Sequence, residues 1–237
     1  MAATNKKAMS IGIFLALSFL GVLLLIFSPV FGEGKNGLQF SDELFNKLSK
    51  GSSYFIPKVA QSSQKLAGRD FSLTVRMEKP EQAQKAVQVL TAAGVQAEEA
   101  AAEVKVSGDL GRLLSMVLQD SDAMYRNDGK TVAGRYGFDE REVMATWWTL
   151  LKQFDKELKK GGKIEEAKVV NDVMKKAVEA AYNFYGIEAQ KVTDKAGLMA
   201  GLLLFYVAYT MWWGFAIFYL FEGFGLTMKK AKVKKEV

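Results

Sequence analysis

Residues 196–224 read AGLMAGLLLFYVAYTMWWGFAIFYLFEGF, with Glu222 near the far end as the only charged side chain. A run of about 20 apolar residues is long enough to cross a bilayer as a helix. Lys229, Lys230, Lys232, Lys234 and Lys235 follow directly. This stretch decides where the rest of the chain sits.

A second apolar run, IGIFLALSFLGVLLLIF, follows Lys6 and Lys7 near the start and is closed by Ser28-Pro29. The residue before a proline is pushed out of helical geometry. A secretory signal peptide has the same basic start, but its hydrophobic region spans only about 7–15 residues. Here apolar character runs from Met9 to Phe31 with small interruptions, which favours an uncleaved anchor.

The formal charge of +6 is concentrated at the chain ends. Lys6, Lys7 and the five tail lysines leave 25 basic against 24 acidic residues between 32 and 195. Basic residues flanking spans mark the cytoplasmic side, and long domains translocate largely regardless of their own charge. Lys6, Lys7, Lys229, Lys230 and Lys232 therefore orient both termini towards the cytoplasm of a cell inner membrane. The central domain is expected on the extracytoplasmic, periplasmic side. A nucleic-acid footprint needs a basic face on a folded domain, and no such excess exists here, so the bilayer is the expected partner and nucleic acid is not.

The expected fold class is a membrane protein with two transmembrane α-helices flanking an α+β extracytoplasmic domain. Its parts are a cytoplasmic N-terminus (1–10), transmembrane helix 1 (11–31), a helical lead-in (32–70), an α+β domain (71–137), a helical hairpin and linker (138–195), transmembrane helix 2 (196–224) and a basic cytoplasmic tail (225–237). In the lead-in, Ser41 and Ser53 are candidate helix caps, with Pro57 in a tolerated first turn. Phe71, Leu73, Val75 and Met77 alternate with polar residues as in a half-buried strand. Pro80 opens a helix with Ala83, Ala86, Val87 and Leu90 as its stripe and Gly94 as its stop. Residues 95–99 and 102–106 read as strands, 110–120 as a helix, Asn127-Asp128-Gly129 as a turn and 131–136 as a last strand. That β-α-β-β-α-β order is the ferredoxin-like sandwich. Glu99-Ala100-Ala101 has no turn chemistry, which leaves a single strand over 95–106 as the alternative. Beyond Phe138, Val143, Trp147, Leu151, Phe154 and Leu158 recur at helical spacing, Gly161-Gly162 breaks the run, and a second stripe extends from Ile164 to Phe184. Two stripes and a short connection give an antiparallel hairpin.

The chain contains no Cys and no His. Disulfides, Cys-ligated clusters, thioether-linked haem, His or Cys zinc sites and His-based catalytic sets are excluded. Ser62 and Lys65 have S-x-x-K spacing, but the companion elements fail at Ser121-Asp122-Ala123 and Lys130-Thr131-Val132. Gly129-Lys130-Thr131 lacks the first glycine of a P-loop, because Met124 occupies its place. Asp120, Asp122 and Asp128 crowd one loop without an EF-hand pattern and read as helix end and turn. Glu222 reads as interfacial, near the cytoplasmic end of its span, although intramembrane acids can mark ion paths. No catalytic, cofactor-binding or metal site is expected.

The second span offers the best contact surface. Gly197 and Gly201 form a GxxxG pair, whose small residues let helix backbones approach. Tyr209, Trp212 and Trp213 fall mid-span, where interfacial belts do not account for them. Their polar atoms want partners when buried, which favours contact with a membrane protein over simple anchoring or a small molecule. The plan of short inner end, span, outer domain and span resembles the front half of bacterial chemoreceptors and sensor kinases. Only about a dozen residues follow the second span, so the output half of those proteins is not expected. The leading function is a non-enzymatic accessory, assembly or structural subunit of a larger membrane complex. The alternative is an extracytoplasmic ligand-binding or sensing module without its own output domain.

Overall fold

The computed structural model describes residues 5–226. Among them the chain is mostly helical, with one three-stranded sheet and two helices long and apolar enough to cross a membrane. Lys229, Lys230 and Lys232 lie outside the described residues. The chain divides into two units, 1–45 with 191–237, and 46–190.

The first unit is built on helix α1 (Lys6–Phe27) and helix α10 (Ala196–Gly223). The Asn5 side chain caps α1 by accepting the Ala8 N–H at 3.1 Å. The helix starts at Lys6, so Lys6 and Lys7 lie in its first turn. It stops at Phe27, short of the expected Phe31, because Ser28 before Pro29 is extended, with ψ of 151°. Helix α2 (Gly37–Ser52) follows a turn through Gly32 to Gly34. Its start corrects the expected Ser41 cap. Asn36 and Gln39 each accept the other's backbone N–H, at 2.9 and 3.0 Å, as a reciprocal box. Ser41 lies inside the helix and donates to the Gly37 carbonyl.

The second unit opens with α3 (Ile56–Gln64), which carries Pro57 in its first turn. Strand β1 (Asp70–Arg76), helix α4 (Pro80–Ala92), strand β2 (Gln96–Ala100), strand β3 (Glu103–Asp109) and helix α5 (Leu110–Tyr125) succeed one another. The sheet is antiparallel in the order β1-β3-β2, with Leu73 opposite Val106 and Ala97 opposite Val106 on the other side. Ala101 and Ala102 join β2 to β3, and Ala101 takes a φ of 56°. That left-handed turn breaks 95–106 into two strands despite the missing Gly or Asn.

The expected last strand is a helix. Residues 131–136 belong to α6 (Gly129–Tyr136), and the β-α-β-β-α order has no closing strand. Asp128 dictates this by accepting from the Thr131 hydroxyl at 2.7 Å and from its N–H. Val132 and Tyr136 stand one helical turn apart and are both buried, and Gly137 ends the helix at a φ of 76°. Helix α7 (Glu140–Lys160) buries the Val143–Trp147–Leu151–Phe154–Leu158 stripe completely, as the spacing predicts. Gly162 turns the chain into α8 (Ile164–Val173), a π-helical turn (Met174–Val178) and α9 (Glu179–Phe184). One core joins α3 to α9 with the inner face of the sheet.

Candidate functional site

The α1–α10 pair carries most of the residues expected to make contacts. The helices run antiparallel, since the Asn5 N–H donates to the Gly223 carbonyl at 3.3 Å and Phe19 meets Tyr209 and Trp213. Phe19 stacks on Tyr209 with ring centres 4.1 Å apart and leans on Trp213 at 4.6 Å. Phe205 extends the stack beyond Tyr209. The close approach falls on Gly12, which opens the weaker small-residue spacing Gly12-x-x-x-Ala16 of the first span, and on Gly223, which no spacing singles out. A Cβ on Gly12 would lie 2.7 Å from the Leu220 nitrogen, and one on Gly223 would lie 2.8 Å from the Met9 Cα. Gly197 and Gly201 have nothing within 4 Å of such a Cβ, so their face of α10 is free of α1. The Tyr209 hydroxyl and the Trp212 indole N–H are buried without a hydrogen-bond partner among the described residues.

Within the second unit the densest polar cluster centres on Asp120, which the sequence places at the solvated end of a helix. Asp120 is 0% exposed. One carboxylate oxygen accepts from the Tyr136 hydroxyl at 2.5 Å and the Trp147 indole at 2.8 Å, and the other is paired with Arg135. Burial pushes the Asp120 carboxyl above its ordinary value, against the pull of these donors. Burial likewise raises the Tyr136 phenol, and the carboxylate beside it adds to the rise. The signal was legible in outline. Asp120 sits seven residues after Leu113 and four before Met124, on the apolar face of α5. Asp122 instead meets Tyr54 and Arg126, and Asp128 caps α6. The three acids do not converge, and no group of three or more Asp or Glu side chains is arranged to hold a metal among the described residues.

Lys50 is the second buried charge, at 3% exposure. Its ammonium donates to Asn127 Oδ1 at 2.9 Å and to the carbonyls of Phe184 and Ile187 at 3.1 and 2.6 Å. Burial lowers its pKa. The same joint holds the Gln190 N–H on the Lys47 carbonyl at 3.0 Å, so the two ends of the 46–190 unit lie side by side. Gly51 is needed there, because a side chain would strike the Gln190 backbone.

A groove of about 400 Å3 opens between α7 and the π-turn with α9. Met144 and Val178 floor it, and Trp148 and Tyr182 wall it. The Trp148 indole donates to Glu179 at 2.8 Å, and the Lys152 ammonium lies 4.7 Å from the Trp148 ring centre. A π-turn adds a residue to the helical repeat and is frequent beside binding sites. The groove can take an amphipathic group, while its one carboxylate is already engaged. Elsewhere, the exposed Ser62 hydroxyl turns back to the Lys58 carbonyl. Comparison with protein-family models, curated proteins and solved structures gave no match.

Proposed function

We propose that the chain is a two-span membrane protein with both termini cytoplasmic. The 46–190 domain is carried on the extracytoplasmic side as a non-enzymatic accessory, assembly or structural subunit of a larger membrane complex. The observation that carries this reading is how α10 uses its residues. Tyr209 and Trp213 are engaged by Phe19, yet Tyr206, Phe215 and Phe218 face outward and Gly197 and Gly201 stand open. A single anchor needs no such surface, whereas helix association in lipid uses small residues and close packing. Purification of the full chain from native membranes in a gentle detergent, followed by mass measurement, tests it. A co-purifying membrane protein that is lost on Gly201→Leu is the expected result, and a lone chain at every detergent concentration refutes it.

The groove beside the π-turn supports a second reading, an extracytoplasmic module that senses an amphipathic small molecule. A melting shift of the full chain in a ligand screen, abolished by Trp148→Ala, would support it. Flat melts across broad libraries count against it.

A further inference from the structure

The two edges of the sheet are built differently. Strand β2 is five residues long and carries Glu98 and Glu99, charges that discourage strand addition. Strand β1 is seven residues long, and its centre, Phe71-Ser72-Leu73-Thr74-Val75, carries no charge and no proline. This bare edge is the one that the closing strand of a β-α-β-β-α-β sheet would cover, and α6 has taken that segment away.

The direction of the free backbone groups follows from the ladder. The Met77 N–H bonds to the Ala102 carbonyl at 2.8 Å, and the Leu110 N–H bonds to the Arg69 carbonyl at 2.9 Å. Odd-numbered residues of β1 therefore turn towards β3, and even-numbered ones turn outward. The outward backbone groups of Ser72 and Thr74 have no partner among the described residues, while the Arg76 carbonyl accepts from Gln153. The Ser72 and Thr74 side chains are exposed, and Leu73 on the core face is only half-buried.

Charges at the strand ends select the occupant. Asp70 stands opposite Asp109 on β3, and neither Asp70 nor Arg76 has an ion pair among the described residues. Laid antiparallel on itself about Leu73, β1 places Asp70 against Arg76 of the other copy at both ends. Ser72 then faces Thr74, and both use their outward backbone groups. Phe71 faces Val75 on the core side. Opposite charges and β-branched or aromatic pairs across strands stabilise such a pairing.

We propose that β1 is a self-pairing edge, which joins the sheets of two copies of this chain into one continuous six-stranded sheet about a two-fold axis through Leu73. This inference goes beyond the proposed function and depends neither on the partner of α10 nor on the side of the membrane.

The chain has no cysteine, which makes the test direct. Leu73→Cys in the full chain, oxidised in native membranes, gives a covalent dimer, because non-hydrogen-bonded pairs bring side chains closest. Lys105→Cys, on the open face of β3, gives none. Differently tagged Ser72→Cys and Thr74→Cys copies, both exposed positions, cross-link to each other more than either does to itself. Asp70→Arg and Arg76→Asp each weaken dimerisation by about tenfold, and the double exchange restores it. Cross-linking at Lys105 as strong as at Leu73, a double exchange that fails to restore the dimer, or capture of β1 by another protein's strand each overturns the proposal.

Discussion

In the 46–190 domain the Asp120 carboxylate is wholly buried and accepts hydrogen bonds from Arg135, Tyr136 and Trp147. In the α1–α10 pair the Tyr209 hydroxyl and the Trp212 indole N–H are buried with no partner among the described residues. The domain is nearly strict, for among the described residues only its buried side-chain atoms Asp155 Oδ1 and Gln190 Oε1 are left over, and the other oxygen of Asp155 holds Lys159. On the proposed reading of α1 and α10 as membrane spans, the difference lies in the state each region folds from. An unfolded aqueous chain hydrates its polar groups, so burying one unpaired costs about 1–3 kcal/mol. A separated helix in lipid has no water for its hydroxyl or indole, so packing it against a neighbour loses little. Polar deletions should therefore be severe in the domain and mild in the hairpin.

The largest effect is expected at Asp120. Asp120→Ala leaves the Tyr136 and Trp147 donors orphaned in the core and should cost about 3–5 kcal/mol in urea unfolding of the full chain. A loss under about 1 kcal/mol would break the comparison at its strong end. In the hairpin, size should count for more than polarity. Gly12→Leu meets the Leu220 backbone and should weaken the helix pair by about 1–3 kcal/mol, read as a lower melting point in detergent. A smaller effect comes from pH. Burial raises the Asp120 pKa, so the folded state holds the proton longer than the unfolded chain does. The contribution is complete below the unfolded value, near 3.8, and declines as pH rises through the folded value. Wild type should lose ground to Asp120→Asn over that rise, even though removing the paired carboxylate harms the fold. Parallel stability profiles would contradict this. The smallest effects are expected from Tyr209→Phe and Trp212→Phe, each within about 0.5 kcal/mol in the detergent melt. A loss above about 1 kcal/mol there would show that these atoms have partners in the membrane.

Strong periodicity made much of the fold legible. The α7 stripe, the Phe71–Val75 alternation, the helix from Pro80 and the two apolar spans all stand where their spacing puts them. The misses are local contests. At 131–136 a strand expectation lost to one Asp128 cap, and at Ala101 the chain turned without the residues that make such turns cheap. The α2 start moved to the Asn36–Gln39 box. The candidate site was less legible, because helix packing depends on which side each helix turns to its neighbour. GxxxG spacing marks Gly197 and Gly201, yet the close approach uses Gly12, from the weaker Gly12-x-x-x-Ala16 spacing, and Gly223, which stands in no such motif. Lys50 gave no signal at all, since its acceptors are one side chain 77 residues away and two backbone carbonyls more than 130 residues away along the chain.

The joint at Lys47, Lys50 and Gln190 has a consequence for the connectivity of the chain. A domain whose entry and exit lie within one hydrogen bond of each other behaves, for the chain around it, like a short loop. The helices of the first unit therefore gain or lose little loop-closure entropy whether the connection between them is a few residues or the whole of 46–190. The 46–190 segment therefore enters the chain as an insertion whose two ends meet. Replacing it by a glycine-serine bridge should leave the close approach of α1 and α10 unchanged, as read by the effect of Gly12→Leu on the detergent melt.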